Sequence, residues 1–240
     1  MRVLGFTPVF WPTVISIPCF LVALALGTWQ VQRLGWKQDL IEERTAQLSA
    51  APVPLPASVE PGDPALDFRR VRLTGTFLHN RELYLAARSL RGNTGYDVIT
   101  PLQRTDGSVV LVDRGWVPNE RKLPERRADG QVSGEVTIDG IARTRFRKGY
   151  FQPDNDPEKN VWFWIDINAM GQATGVTPMP LVVEADEGFA PGGWPKGGQT
   201  RVDLRNNHLA YVITWYSVAL TIAVIYVLWH RKQAREEVSR

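Results

Sequence analysis

The chain is poor in cysteine, and this scarcity limits the metal and redox chemistry that it can support. Cys19 is the only cysteine among 240 residues, and it lies within an apolar stretch. A single thiol excludes an internal disulfide, a structural zinc site built on cysteines, c-type haem attachment through CxxCH and a paired-thiolate copper site. The thiol is expected to serve in packing.

The central part of the chain has no net charge. The formal net charge of the whole sequence is +3, yet 23 basic and 23 acidic side chains balance between Val31 and Leu228. The surplus comes from Arg2 and from the residues after Trp229, where basic side chains outnumber acidic ones. A basic surface that would attract nucleic acid is not expected, and no nucleic-acid partner is predicted.

Motifs of common enzyme classes are missing. The sequence has no GxSxG, HExxH, GxxxxGK[ST] or GxGxxG, and its only histidines are His79, His208 and His230. A hydrolase or a nucleotide-dependent enzyme therefore has no motif support. A membrane-tethered enzyme that uses carboxylates stays open as an alternative, because paired acids cannot be recognised without geometry.

Two long apolar runs are predicted to be membrane helices. The first, Phe10–Gly27, is almost entirely apolar, and about 20 helical residues cross the hydrocarbon layer of a bilayer. It continues into the bulky Trp29, where a signal peptide would need small residues for cleavage, so a retained anchor is predicted. The second run, Leu209–Trp229, has no charged residue and is bordered by aromatic residues typical of the headgroup region.

The basic residues Arg231 and Lys232 follow the second run directly. Short flanks rich in Lys and Arg stay in the cytoplasm, so both termini are predicted to be cytoplasmic and the central region periplasmic. No transit peptide precedes the first run, which favours a bacterial inner membrane. The predicted segments are residues 1–8 (cytoplasmic), 9–30 (first membrane helix), 31–66 (helical extension and proline-rich loop), 67–206 (periplasmic β-rich domain), 207–229 (second membrane helix) and 230–240 (cytoplasmic basic tail).

From Asp67 onward, apolar and polar residues alternate in short stretches separated by Gly, Asn and Asp, which is typical of β-strands. The absence of long helices between them favours a mainly antiparallel barrel or sandwich, with a hairpin at Thr105–Ser108 and one minor helix at Asn168–Thr174. The predicted fold class is thus two transmembrane α-helices flanking this extracytoplasmic β domain. The predicted strands are 68–77, 82–87, 96–102, 109–113, 135–142, 161–165 and 181–184.

His208 lies one residue before the second apolar run, where an imidazole could bind a metal or haem iron at the membrane surface. On helical spacing it shares a face with Tyr211, Trp215 and Ala219, which would suit a porphyrin. The alternative is an interfacial histidine among belt aromatics.

A second group of candidate ligand-binding residues lies at the outer end of the first run. Trp29, Arg33 and Trp36 fall on one helical face, and Arg33 and Lys37 could neutralise the propionates of a haem. Ordinary contact of these long side chains with lipid headgroups is the alternative.

Four motifs in order resemble one known family. They are Gly27-Thr28-Trp29-Gln30-Val31-Gln32-Arg33 with Trp36-Lys37, Gly95-Tyr96 running to Thr100-Pro101-Leu102, Val112-Asp113-Arg114-Gly115-Trp116-Val117-Pro118, and Asn207-His208-Leu209-Ala210-Tyr211 with Thr214-Trp215-Tyr216. In order and spacing the chain resembles the Surfeit locus family of cytochrome c oxidase assembly factors. One departure is Asp113, where family members commonly carry Asn; its carboxylate is expected to pair with Arg114.

The resemblance implies a non-catalytic assembly factor for the haem–copper oxidase. It would bind haem a transiently through His208, with haem iron as its only metal, and assist its insertion or stabilisation in the large catalytic subunit. Trp29, Arg33, Arg114 and Trp116 match family signatures. Expected partners are that subunit, haem a synthase as a second candidate, and membrane lipid; the client could be a cytochrome c or a quinol oxidase. The alternative is a membrane-anchored scaffold that binds oxidase folding intermediates without holding haem.

Overall fold

The computed structural model describes residues 8–200 and 206–238. The described chain forms two compact units, one made of residues 8–43 with 206–238 and the other of residues 44–200. Arg2 and Arg240, on which part of the charge argument rests, lie outside the described residues.

The first unit is a pair of long helices. Helix α1 spans Phe10–Ser49 and helix α3 spans His208–Val238. The most apolar part of each helix has a mean hydropathy of 1.9, and only 11% and 6% of the residues there are buried within the protein. A core helix of a soluble protein would bury most of its apolar residues, so these two helices have the length, composition and exposure of membrane-spanning helices. The protein is therefore a membrane protein.

Small residues line the contact between the two helices. Ala23 and Gly27 of α1 and Ala219 of α3 are buried. A Cβ atom on Gly27 would lie 3.0 Å from a ring carbon of Tyr216, so glycine lets the tyrosine ring pack directly on the helix backbone. Close approach through small residues is how membrane helices associate, because burial from lipid supplies no hydrophobic driving force.

The second unit is a β-barrel with a minor helix. The strands are β1 Val53–Pro54, β2 Arg70–Phe77, β3 Leu83–Leu90, β4 Asn93–Arg104, β5 Val109–Pro118, β6 Glu135–Arg143 and β7 Pro178–Ala185, and the minor helix α2 is Ile167–Thr174. Five strands close into a ring in the order β2, β6, β7, β5, β4 and back to β2, while β1 and β3 lie outside the ring on β2 and β4. All neighbours within the ring are antiparallel except β5 and β7.

The ring closes where the end of β2 meets the end of β4. Gly75 pairs with Arg104 there, and a Cβ atom on Gly75 would lie 2.3 Å from the carbonyl oxygen of Gln103. Only glycine allows this approach of the two backbones, so the end of β2 can pair with β4 on one side while it still pairs with β6 on the other. Side chains on the alternate positions of the strands are fully buried in the core, among them those of Val71, Leu102, Val112 and Leu181.

The predicted fold class is confirmed, with the barrel as the form that the β domain takes. The hairpin at Thr105–Ser108 is also confirmed, since Gly107 N–H donates to the Arg104 carbonyl between β4 and β5. Six of the seven predicted strands are present, most of them with extended ends. Burial alternates along β2, as the sequence pattern predicts, whereas β4 and β5 contain runs of consecutive buried residues.

The predicted strand 161–165 is wrong. Only single-residue bridges form there, from Trp162 to Leu85 and from Val161 to Asp156. The side-chain oxygen of Asn155 accepts hydrogen bonds from the backbone N–H groups of Phe163 and Trp164, at 2.8 and 3.3 Å. Because a side chain satisfies these donors, the segment needs no neighbouring strand despite its aromatic alternation.

Candidate functional site

His208 is the first residue of α3 and lies against α1. Its backbone N–H donates to the side-chain oxygen of Asn206 at 3.3 Å, which satisfies one of the free donors at the helix start. Its ring atom Nδ1 lies 2.6 Å from Oε1 of Gln30. Gln30 is buried, with 8% of its surface exposed, and belongs to the same α1 stripe as Ala23 and Gly27.

This hydrogen bond matches one tautomer of the imidazole. Because an amide Oε1 atom accepts, Nδ1 of His208 would carry the proton and donate it to Gln30. In a neutral imidazole the other nitrogen, Nε2, then has a free lone pair. Among the residues that the structure describes, Nε2 has no hydrogen-bond partner, and it is available as a ligand atom for a metal.

Two further hydrogen bonds join the helices along their length. The hydroxyls of Thr28 and Tyr216 lie 3.3 Å apart, and those of Thr13 and Tyr226 lie 2.8 Å apart towards the other end of the pair. The antiparallel helices are thus linked by polar contacts at both ends and by small residues between them. His208 is held at one end of a defined helix pair.

The other predicted site residues belong to the same two helices and differ in how much of each side chain is exposed. Trp29 and Tyr211 are half exposed on its surface, at 50% and 52%, while Trp215 is partly buried. The guanidinium of Arg33 lies over the ring of Trp36, 4.4 Å from its centre. Among the described residues, the side-chain hydrogen bond of His208 is to Gln30 and not to any of these side chains.

Lys37 is placed differently from Arg33. It lies seven residues, or two helical turns, beyond Gln30, so both are on the same face of α1. Lys37 is partly buried, whereas Arg33 is exposed. Of the two predicted basic residues, Lys37 is therefore on the face that Gln30 presents to α3.

Arg114 lies in the interior of the barrel unit, where it pairs with a buried carboxylate. It is fully buried, and Nη1 donates to Oε1 of Glu82 at 2.9 Å and to Nδ1 of His79 at 3.2 Å. Arg127 also donates to Glu82, at 3.1 and 2.5 Å, and Gln131 adds a bond at 3.1 Å. One buried carboxylate thus holds two guanidinium groups and an amide.

The pKa values of this cluster follow from burial and charge. Burial alone would raise the pKa of Glu82, but hydrogen bonds and the positive charge of Arg127 lower it to about 2. Burial lowers the pKa of Arg114 to about 10, against the opposing effect of Glu82. Both groups stay charged at neutral pH, and the cluster is an ion network inside the barrel.

The profile of the SURF1 family matches residues 17–220 of the chain. A SURF1-like protein of Monosiga brevicollis is 40% identical over 236 residues, covering 93% of this chain and 88% of the relative. Surfeit locus protein 1 of Xenopus tropicalis is 42% identical over 229 residues, covering 88% and 72%, and that of Homo sapiens is 41% identical over 234 residues, covering 89% and 74%.

The chain belongs to the SURF1 family. The resemblance inferred from the four motifs is therefore confirmed, while the three relatives named here are eukaryotic and give no support for a bacterial membrane. The family motifs fall in both units of the structure. Those of the helix pair contain Gln30 and His208, and the third motif, in β5, contains Arg114 and Trp116.

Asp113, the departure from the family pattern, does not pair with Arg114 as expected. Successive residues of β5 point to opposite faces, so Arg114 turns to Glu82 while the side chain of Asp113 accepts from Gly115 N–H at 2.9 Å. Burial raises the pKa of Asp113 well above its usual range, and the nearby charges of Asp97 and Glu184 raise it further.

A raised pKa favours the neutral, protonated form of the Asp113 carboxyl group. A protonated carboxyl group has the shape of an amide, no charge, one donor and one acceptor. Asp113 lines an open cavity of about 420 Å³ in the barrel unit, together with other charged and hydroxyl side chains. They include Arg88, Asp97, Arg143, Glu184 and Thr200.

Sequence reasoning missed Gln30 as part of the site. A lone amide at the outer end of an apolar run has the same pattern as any headgroup residue, and its partner lies 178 residues away. The presence of Gln30 within a matched family motif was the one available signal. The Glu82 cluster was missed for the same reason, since no local spacing joins Glu82 to Arg114 and Arg127.

Proposed function

We propose that this protein is an assembly factor for the haem–copper terminal oxidase that binds haem a through Nε2 of His208. The observation that carries the proposal is the hydrogen bond between His208 Nδ1 and Gln30 Oε1, which is 2.6 Å long. It leaves the lone pair of Nε2 available to bind a metal. Histidine ligands of metals commonly donate their second ring N–H to an oxygen in this way. Membership of the SURF1 family supports the same function.

The donor chemistry of the site fits a haem iron better than a free metal ion. Among the described residues no group of three or more His, Cys, Asp or Glu is close enough to hold a metal. His208 would thus be a single protein ligand, which suits an iron whose equatorial positions are supplied by the porphyrin. Haem a would supply that iron and a flat apolar ring with two propionates.

The surrounding residues can hold such a ring at the end of the helix pair. Trp29 and Tyr211 present half-exposed rings, and Trp215 adds a partly buried one, so an apolar ligand could pack on aromatic surfaces. Lys37 and Arg33 supply positive charge for propionates. Lys37 shares its face with Gln30, and we assign it the larger part of this role.

The remaining features of the proposal concern partners and place. The protein would act without catalysis, and the large oxidase subunit would be its client, with haem a synthase as a second partner. Both termini would be cytoplasmic and the barrel periplasmic in a bacterial inner membrane, because Arg231 and Lys232 follow the apolar part of α3. Reporter fusions at either terminus test this orientation.

The test of haem binding is an absorption spectrum of the full-length protein purified from a strain that makes haem a. We expect bound haem in the wild type and its loss in His208→Ala, because Nε2 is removed. Asn207→Ala, an exposed neighbour at the same depth, serves as the control and should keep haem. Unchanged haem content in His208→Ala would reject the ligand role. Co-purification of the large subunit without any pigment would favour the scaffold alternative.

A further inference from the structure

Gln30 is an unusual residue for its position. The buried residues of α1 are Ala23, Gly27 and Gln30, and the first two are small and apolar. Burying an amide costs free energy unless its hydrogen bonds are made, and polar side chains inside membrane helices are commonly functional. A leucine would fill similar space without this cost, so packing alone does not account for Gln30.

Helix association does not account for Gln30 either. Hydrogen bonds between membrane helices contribute little to helix association on average, because the separated helices find other partners. The pair already has the hydroxyl contacts of Thr28 with Tyr216 and of Thr13 with Tyr226. The specific effect of Gln30 is on the imidazole that it contacts.

We propose that Gln30 is a positioning residue that holds His208 in the Nδ1–H tautomer, so that the lone pair of Nε2 and the orientation of the ring are set for ligand binding. The inference rests on the proposed function, since it assigns how the ligand atom is prepared. An unrestrained neutral imidazole exchanges between two tautomers and rotates about its side-chain bonds, and only one tautomer exposes the Nε2 lone pair. Loss of such an orienting partner typically weakens metal affinity about 10- to 100-fold.

The first test needs neither haem nor a variant. Nitrogen NMR of the full-length, ¹⁵N-histidine-labelled protein in nanodiscs, with the His208 signals assigned through His208→Ala, should show the proton on Nδ1. A proton on Nε2 in the wild type would overturn the inference, because Gln30 would then be donating its NH₂ group to Nδ1.

The second test compares variants by titration with purified haem a. Gln30→Leu should weaken binding about 10- to 100-fold and broaden the absorption bands, because the imidazole loses its orienting acceptor. Gln30→Glu keeps an acceptor at the same place, so it should retain the Nδ1 proton and most of the affinity. Gln32→Leu changes an exposed glutamine of the same helix and should leave the titration unchanged.

The outcomes separate this inference from the function on which it rests. If His208→Ala binds haem a like the wild type, the proposed function fails. If His208→Ala loses haem while Gln30→Leu keeps wild-type affinity and bands, the function stands and the role of Gln30 is rejected. Rescue by Gln30→Glu distinguishes positioning from a merely structural amide.

Discussion

The helix pair and the barrel both bury polar side chains, but the hydrogen-bonding groups of these side chains find partners in different ways. In the barrel, Glu82 is matched by the guanidinium groups of Arg114 and Arg127. In the helix pair, Gln30 satisfies only one of the two ring nitrogens of His208. A carboxylate whose two oxygens both accept hydrogen bonds stabilises a fold, whereas a ring nitrogen without a described partner is available to a ligand.

This difference separates two kinds of family signature. Arg114, which shares a motif with Trp116, belongs to the buried ion cluster of the barrel, while His208 and Gln30 belong to the helix pair, where we propose that haem binds. Changes in the barrel cluster should therefore act on stability first, and changes in the helix pair should act on ligand binding first. Three variants test this distinction.

Arg114→Met should give the largest loss of stability. Removing one partner of a buried ion pair costs about 3–5 kcal/mol, because the charge of Glu82 loses part of its compensation. Urea unfolding of the full chain in detergent measures the loss. Arg72→Met removes an exposed pair with Asp139 and should have a much smaller effect. Equal losses of stability in the two variants would contradict a structural role for the cluster.

Gly27→Leu should separate the two helices without weakening the barrel. A leucine side chain cannot fit against the ring of Tyr216, since even a Cβ atom lies 3.0 Å from it, and overpacking costs about 1–3 kcal/mol. Spin labels at the exposed positions Gln32 and Asn207, with Cys19 replaced by Ser, should report a longer and broader distance. Gly27→Ala is the milder control. An unchanged distance in Gly27→Leu would contradict the observed packing.

Asp113→Asn should have the smallest effect and should depend on pH. Burial raises the folded-state pKa of this carboxyl group, so the wild type loses stability as pH rises above the ordinary value near 3.8 until the folded protein also ionises. Asparagine cannot ionise. Urea unfolding should show that the variant is more stable than the wild type at pH 7, with the difference vanishing below about pH 4. A destabilised variant at pH 7 would contradict the raised pKa of Asp113.

Most of the fold could be predicted from the sequence because its signals are local. Uncharged runs long enough to cross a bilayer predicted α1 and α3, and alternation predicted six strands. The failure at 161–165 shows the limit of alternation, because Asn155 replaces the neighbouring strand that the pattern implies. Ring closure at Gly75 depends on a backbone approach that no local pattern reveals.

The candidate site could be predicted only in part. His208 was found because a polar residue at the boundary of an apolar run is visible in the sequence, and it remains a predicted ligand. Gln30 and the Glu82 cluster were not found, because their partners lie far away along the chain. Arg114 was recognised as a signature residue, but its burial could not be predicted from a motif.

Closure of the ring restricts how another protein can attach to the barrel. Each of β2, β4, β5, β6 and β7 has a neighbour on both sides, and β3 covers the outer side of part of β4. Extension of a sheet by a strand from a partner requires free backbone groups along an edge. Among the described strands, the short β1 retains such an edge, and so does the part of β3 beyond Ala86, since Trp162 already pairs with β3 at Leu85. Recognition by the closed strands would rest on side chains and loops, where sequence can change without disturbing the barrel.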